Sequence, residues 1–218
     1  MLPPPSAFDE RVLVQVTAPK SGIGTAFAIN DDGQWLTARH VVDGCNEVSL
    51  LVAPGQYSRA RSVTISEKYD LALIETESSP NPAPINTEDD LRIGAYGFHV
   101  GYPQGRPGEA ASRLMARSNL ISRGQRSNSE SVLAWAETGR TRGLMGSLGG
   151  LSGGPVYDQA GNVRGVIVAE SARRGRIYTA APETVAKFIK ATGVETIGES
   201  PRNFSKDTYG READHARR

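Results

Sequence analysis

The apolar residues of this chain come in short, β-branched runs cut off by glycines and turn formers, and almost nowhere at helical spacing. Residues 11–16 (RVLVQV), 24–29 (GTAFAI), 34–37 and 47–52 read as strands. Asn30-Asp31-Asp32-Gly33, between the second and third, has the composition of a hairpin turn. Further strands fit 62–65, 71–75, 95–100, 132–137, 155–157, 164–169 and 177–180. Many short strands with turn signals between them predict an all-β sandwich or barrel. Only 182–192 (PETVAKFIKAT) reads as a helix. Proline opens it, Glu183 lies near its positive end, Val185, Phe188 and Ile189 form a stripe, and Gly193 stops it.

The segment 76–92 (TESSPNPAPINTEDDLR) interrupts the rhythm with prolines, acids and no periodicity. It reads as a connection between two β units. The division that follows is a first barrel over 8–80, a linker over 81–92, and a second barrel with the C-terminal helix over 93–198. The polar tail, 199–218, reads as disordered. With 25 basic and 24 acidic side chains the net charge is +1, so electrostatics give no case for nucleic acid or acidic lipid as a partner. Cys45 is the only cysteine, which rules out a disulfide within the chain and leaves the compartment open. No apolar run approaches the roughly 18 residues of a membrane span. The start, MLPPP, lacks the features of an export signal, so a periplasmic or secreted location would need one upstream; otherwise the reading is cytoplasmic.

Several residues have plain structural readings. Arg117, Arg123 and Arg126, then Arg140 and Arg142, then Arg173, Arg174 and Arg176 read as solvated groups on surface loops of the second barrel. Cys45 reads as a small buried hydrophobe and His99 as part of the core or an edge strand. No cluster has metal-ligand spacing, so neither a metal nor a cofactor is expected.

Three positions can carry chemistry. Residues 150–155 (GLSGGP) contain G-x-S-x-G, but Gly-Gly-Pro and a β-branched run follow the serine, where a hydrolase elbow needs a helix. His40 closes WLTARHVV where a strand runs into a turn, and Asp70 heads the apolar run YDLALI. Taken singly these are a glycine-rich turn, a hydrogen-bonding histidine and a strand-start cap. Their order within a two-unit β protein changes the reading. The stretches GTAFAINDDGQWLTARHVV, YDLALIE, GYPQG and GLSGGPVYDQAGNVRGVIV resemble the chymotrypsin-like (trypsin-like) serine protease superfamily, and within it the bacterial HtrA-like branch, over about residues 10–190.

That resemblance implies two six-stranded antiparallel β-barrels with a C-terminal helix, and serine endopeptidase activity on polypeptide substrates. Ser152 would be the nucleophile, His40 the general base and then acid, and Asp70 the group that fixes the imidazole tautomer. The backbone N–H groups of Gly150 and Ser152 would receive the oxyanion. Gly146 would floor the first specificity pocket, with Val168, Ala169 and Glu170 as its wall and as the strand that pairs with substrate. An uncharged floor implies a small or aliphatic residue before the cut, unless Glu170 turns inward and recruits a cation. Leu151 stands where trypsin-type zymogens carry an acid, so a switch operated by a newly cut N-terminus is not expected. HtrA-like proteins add a peptide-binding PDZ domain, and here only 199–218 follow, so the resemblance is to the protease unit alone. Two alternatives remain open at this point: a catalytically latent, protease-like module that binds peptides, and an esterase using the same triad. Natural substrate, oligomeric state and membrane association are also open.

Overall fold

The computed structural model describes residues 2–15, 22–88, 90–123, 128–197 and 203–217. Strand β1 (Glu10–Gln15) is followed by β2 (Phe27–Ala28), β3 (Gln34–Thr37), the single-turn helix α1 (Arg39–Val42), and β4 (Ser49–Ala53). Then come β5 (Gln56–Arg59), β6 (Ser62–Ile65) and β7 (Ala72–Glu75). The second half holds β8 (Tyr96–Gly101), β9 (Gly108–Arg123), β10 (Asn128–Arg140), β11 (Pro155–Tyr157), β12 (Val163–Ser171) and β13 (Arg176–Ala180). Two helices follow, α2 (Pro182–Thr192) and α3 (Tyr209–Ala216).

The second unit is a closed antiparallel barrel of six strands in the order β8-β9-β10-β13-β12-β11, with β11 paired back to β8. Its interior is filled by side chains such as Trp135, Leu114, Leu133, Val156 and Ile177, and Leu148 and Leu151 of the loop before Ser152 join the same cluster. Helix α2 forms as its sequence predicts. Pro182 lies in the first turn, Gly193 closes it at a φ of 70°, and Val185 and Phe188 pack inward.

The first unit has six strands too, hydrogen-bonded among the described residues as a four-stranded sheet, β2-β3-β7-β6, and a separate hairpin, β4-β5. Apolar packing holds the two parts together, with Val48, Leu50 and Val52 facing Val63 and Ile65 around Trp35 and Ile74. Residues 83–86 of the linker tie it to both units. The Ala83 N–H donates to the Ala28 carbonyl (2.8 Å), and Asn86 and Pro84 pair with Val163.

Four expectations need correction. Strand β1, assigned to the first barrel, lies parallel on β9 at the outside of the second, because Val12 and Val14 find their apolar partners there. The tail is ordered over 203–217. Phe204 is buried in stacks with Phe98 and Tyr157, and Arg217 of the last turn pairs with Glu109 at 3.1 Å. Arg117 is on β9, 5% exposed and paired with Glu183 of α2, not on a surface loop; Arg126 lies outside the described residues. Cys45 is exposed, because the chain leaves α1 at Val42 and runs outward.

Candidate active site

Strand β3 ends at Thr37, Ala38 stays extended and buried, and α1 begins at Arg39. A helix start leaves backbone N–H groups without partners. Here the one on His40 is capped by Asp70 Oδ1 at 2.9 Å, while Asp70 Oδ2 lies 2.6 Å from His40 Nδ1. One carboxylate therefore holds the residue by its backbone and by its ring. An ionised carboxylate only accepts, so Nδ1 carries the proton and Nε2 is left as the basic nitrogen. The His40 side chain is 29% exposed and that of Asp70 14%. Burial pushes the imidazole down, but the charge and hydrogen bond of Asp70 outweigh it and raise the group above its ordinary 6.5.

Asp70 stands in a turn built on Ser66, whose hydroxyl accepts the N–H groups of Lys68 and Tyr69. Its own N–H donates to both carboxylate oxygens of Glu130, at 3.1 and 3.2 Å. Glu130 comes from β10 of the other unit and is 7% exposed. Burial, with the Asp70 charge beside it, pushes its carboxyl up to about 7.

Ser152 sits in a tight turn secured from four sides. Leu151 donates to Leu148 O, Gly153 to Ile167 O and Gly154 to Leu151 O, while the Ser152 carbonyl accepts from Thr25 at 2.8 Å. Gly153 has a φ of +86°, and a Cβ there would stand 3.0 Å from Ala38 N and closer still to the Thr25 carbonyl and Thr37 hydroxyl. Only glycine permits both the conformation and the approach. The contact sets the turn of Ser152 against the backbone two residues before His40. No hydrogen bond joins His40 Nε2 to Ser152 Oγ among the described residues.

Gly150, at a φ of +99°, lies against Tyr102 O, which would be 2.5 Å from a Cβ. The Gly149 carbonyl accepts from the Gln104 N–H at 2.6 Å. A planar trans peptide then turns the Gly150 N–H away from that contact. Neither the Gly150 nor the Ser152 N–H donates within the described chain. Gln104 does more: its Nε2 donates to the carbonyls of Met145 and Ser147, at 2.8 Å each, from a backbone at φ 54°.

The remaining residues of interest line one side of this loop. Val168 and Ala169 are buried on β12. β11 runs beside β12 only to Val166, and Gly153 and Gly154 reach Ile167, so the edge from Val168 to Glu170 has no partner strand there among the described residues. Glu170 is engaged: its carboxylate accepts from the Ser147 hydroxyl and from Leu148 N–H at 2.8 Å. Gly146 is exposed, with open space where a Cβ would be, and its carbonyl accepts from Arg140. His99 is core: Nε2 meets Ser112 Oγ at 2.7 Å, and burial lowers its pKa to about 3.

Sequence reasoning missed Glu130 and Gln104. Gln104 lay inside the GYPQG stretch without a role. Glu130 stands among serines (NSES) with nothing local to mark it.

Residues 24–166 match the model of the trypsin-like peptidase domain. A probable periplasmic serine endoprotease, DegP-like, of Pseudomonas savastanoi is 23% identical over 145 residues. That match takes in 66% of this chain and 28% of the relative, so the chain spans under a third of that protein's length. The active form of the Rv3671c protease from M. tuberculosis superposes with a TM-score of 0.66 at 22% identity, covering 80% of this chain and 76% of that one. The HtrA-type protease AlgW, solved with a decapeptide, superposes at 0.63 and 20% identity, covering 78% and 51%. These likenesses give the two-unit β architecture as the chymotrypsin-like fold. With the domain model matching more than half of its residues, the chain belongs to the trypsin-like peptidase family.

Proposed function

We propose that this chain is a serine endopeptidase in which Ser152, His40 and Asp70 act as one proton-transfer unit and cut peptide bonds through an acyl-enzyme. The observation that carries this reading is the double hold of Asp70 on His40, by backbone and by Nδ1, beside a glycine-built turn that bears Ser152. A serine hydroxyl is a weak nucleophile until a base takes its proton as it attacks. His40 Nε2 is that base. Its proton then passes to the leaving amine, while Asp70 stabilises the imidazolium formed between the two transfers. The oxyanion of the tetrahedral intermediate takes the N–H groups of Gly150 and Ser152, and water reverses the sequence to release the acyl group. The hydrogen bond between such a base and its nucleophile tightens when substrate binds.

Substrate backbone pairs with the free edge of β12 at Val168–Glu170. With Glu170 held by Ser147 and Leu148, no free carboxylate awaits a basic side chain, so the residue before the cut is small or aliphatic, beside Val168 and Ala169. The DegP-like relative is named periplasmic, and the same side of the membrane is proposed for this chain.

A fluorophosphonate probe tests the assignment. Ser152 is labelled in the native protein, and Ser152→Ala and His40→Ala, folded by circular dichroism, lose labelling and peptide hydrolysis by about 10⁶ in kcat. Labelling that survives Ser152→Ala, or activity within tenfold of the native protein in either folded variant, refutes the reading.

A further inference from the structure

Glu130 is a buried carboxylate on a strand of the second unit, and its only hydrogen-bonded partner among the described residues is the backbone N–H of Asp70 in the first. Its cross-strand neighbour on β9 is Leu120. The charged groups acting on it are Asp70, Arg39 and His40, all from the first unit. Arg39 is engaged elsewhere, with its guanidinium on the Ser66 carbonyl at 3.1 Å and 4.0 Å from Asp43. No lysine or arginine forms an ion pair with Glu130 among the described residues. Burying a carboxylate beside another carboxylate, without a paired cation, is costly for stability. Structures hold such groups mainly where function needs them.

We propose that Glu130 is a positioning residue for the His40–Asp70 pair: it reaches across from the second unit, fixes the Asp70 backbone, and places its carboxylate behind the pair. The inference rests on reading His40 and Asp70 as parts of the catalytic unit. Two effects follow from the geometry. By accepting the Asp70 N–H on both oxygens, Glu130 fixes the turn from which the Asp70 carboxylate meets the His40 N–H and Nδ1. As an anion behind Asp70, it also favours the protonated imidazole, adding to the effect of Asp70 itself. Burial and Asp70 hold the Glu130 carboxyl up at about 7, and its charge in turn helps to raise the His40 ring, so the two groups are coupled.

The test reads the His40 ring directly, in the full chain, by NMR titration from pH 5 to 9. Of the three histidines, His99 is buried and neutral, and a His215→Gln background removes the exposed one on α3. Glu130→Gln keeps an acceptor for the Asp70 N–H and removes the charge. It is expected to lower the His40 midpoint by roughly half a pH unit. The acid limb of fluorophosphonate labelling moves down with it. Glu130→Ala also removes the acceptor and is expected to lower kcat about tenfold with KM little changed. A His40 midpoint that is the same in native and Glu130→Gln proteins overturns the inference. Because the ring titration needs no turnover, that result is distinct from failure of the triad, which shows as labelling that persists in Ser152→Ala.

Discussion

The hold of Gln104 on the loop before Ser152 can be separated into strain and grip. Its backbone occupies the left-handed region, φ 54° and ψ 28°, which costs a side-chain-bearing residue about 1–2 kcal/mol. Against this, its Nε2 makes two hydrogen bonds, to Met145 O and Ser147 O, worth about 1 kcal/mol each and less where exposed. Gln104→Gly removes both strain and grip, so the two changes nearly cancel. Stability then stays within about 1 kcal/mol, a Tm change of no more than about 4 °C at this chain length. Gln104→Ala keeps the strain and loses the grip, lowering Tm by about 2–8 °C. The catalytic effect does not cancel. Both variants free the carbonyls at 145 and 147 and loosen the path to Gly149, whose carbonyl orients the Gly150 N–H through Gln104 N. Removing an oxyanion donor outright costs about 10²–10³ in kcat, so a donor left poorly aimed costs about 10- to 100-fold. Thermal unfolding followed by circular dichroism, with kcat on a peptide substrate, reads both halves. If both variants keep native kcat, the loop orients Gly150 without Gln104 and the reasoning is wrong.

Two further outcomes follow from the same geometry. Gly153→Ala places a Cβ against Thr25 O, Thr37 Oγ1 and Ala38 N at a positive φ, a loss of about 3–5 kcal/mol that lowers Tm by about 6–20 °C, and an unchanged Tm would contradict the described packing. His40 and Glu130 both have folded pKa values above their ordinary ones, so each contributes stability below its unfolded pKa and loses it as pH rises through the folded value. Tm is therefore expected to fall from about pH 4.5 to beyond 7 while Ser152 labelling rises through a midpoint above 6.5, and a Tm flat over that range counts against the assignment.

The strands that sequence reasoning found are those whose patterns are local. β3, β6, β7, β11 and β13 are short, apolar and bounded by turns, and α2 carries its own start and stop. β9 escaped because its alternation is broken. Leu114 pairs with Trp135 and Ala116 with Ala134, so Met115 is an extra residue, a bulge that shifts the inward face by one. Its alanines and arginines are also good helix formers, and only pairing with β8 and β10 overrides that preference. The polar tail read as disordered because composition averages over Phe204 and Tyr209, its two side chains that stack on Phe98. His40, Asp70 and Ser152 stood out as candidates for the opposite reason. Each lies in a stretch whose neighbours are constrained too, as Gly153 and Gly154 show. Glu130 acts through one backbone contact with a residue of the other unit, and nothing in its own neighbourhood records that contact.

Beside the holds within each unit, a further set runs between them. Thr25 of the first unit donates through its backbone to Ser152 O and through its hydroxyl to Gly150 O in the second. Gly153 of the second lies against Thr37 and Ala38 of the first, and Glu130 of the second holds Asp70 of the first. The position of His40 relative to Ser152 is thus set by the interface, and a displacement of about 1 Å there costs as much as 10²-fold in rate. This bears on the uneven construction of the two halves. The second unit, which shapes the loop that bears Ser152, is a hydrogen-bonded closed barrel. The first has only to present Thr25, α1 and the Asp70 turn to that surface. A four-stranded sheet and a hairpin do so, because Thr37 at the end of β3 and Ala72 at the start of β7 are register partners, which brings the approach to His40 and the turn of Asp70 to the same end of one strand pair.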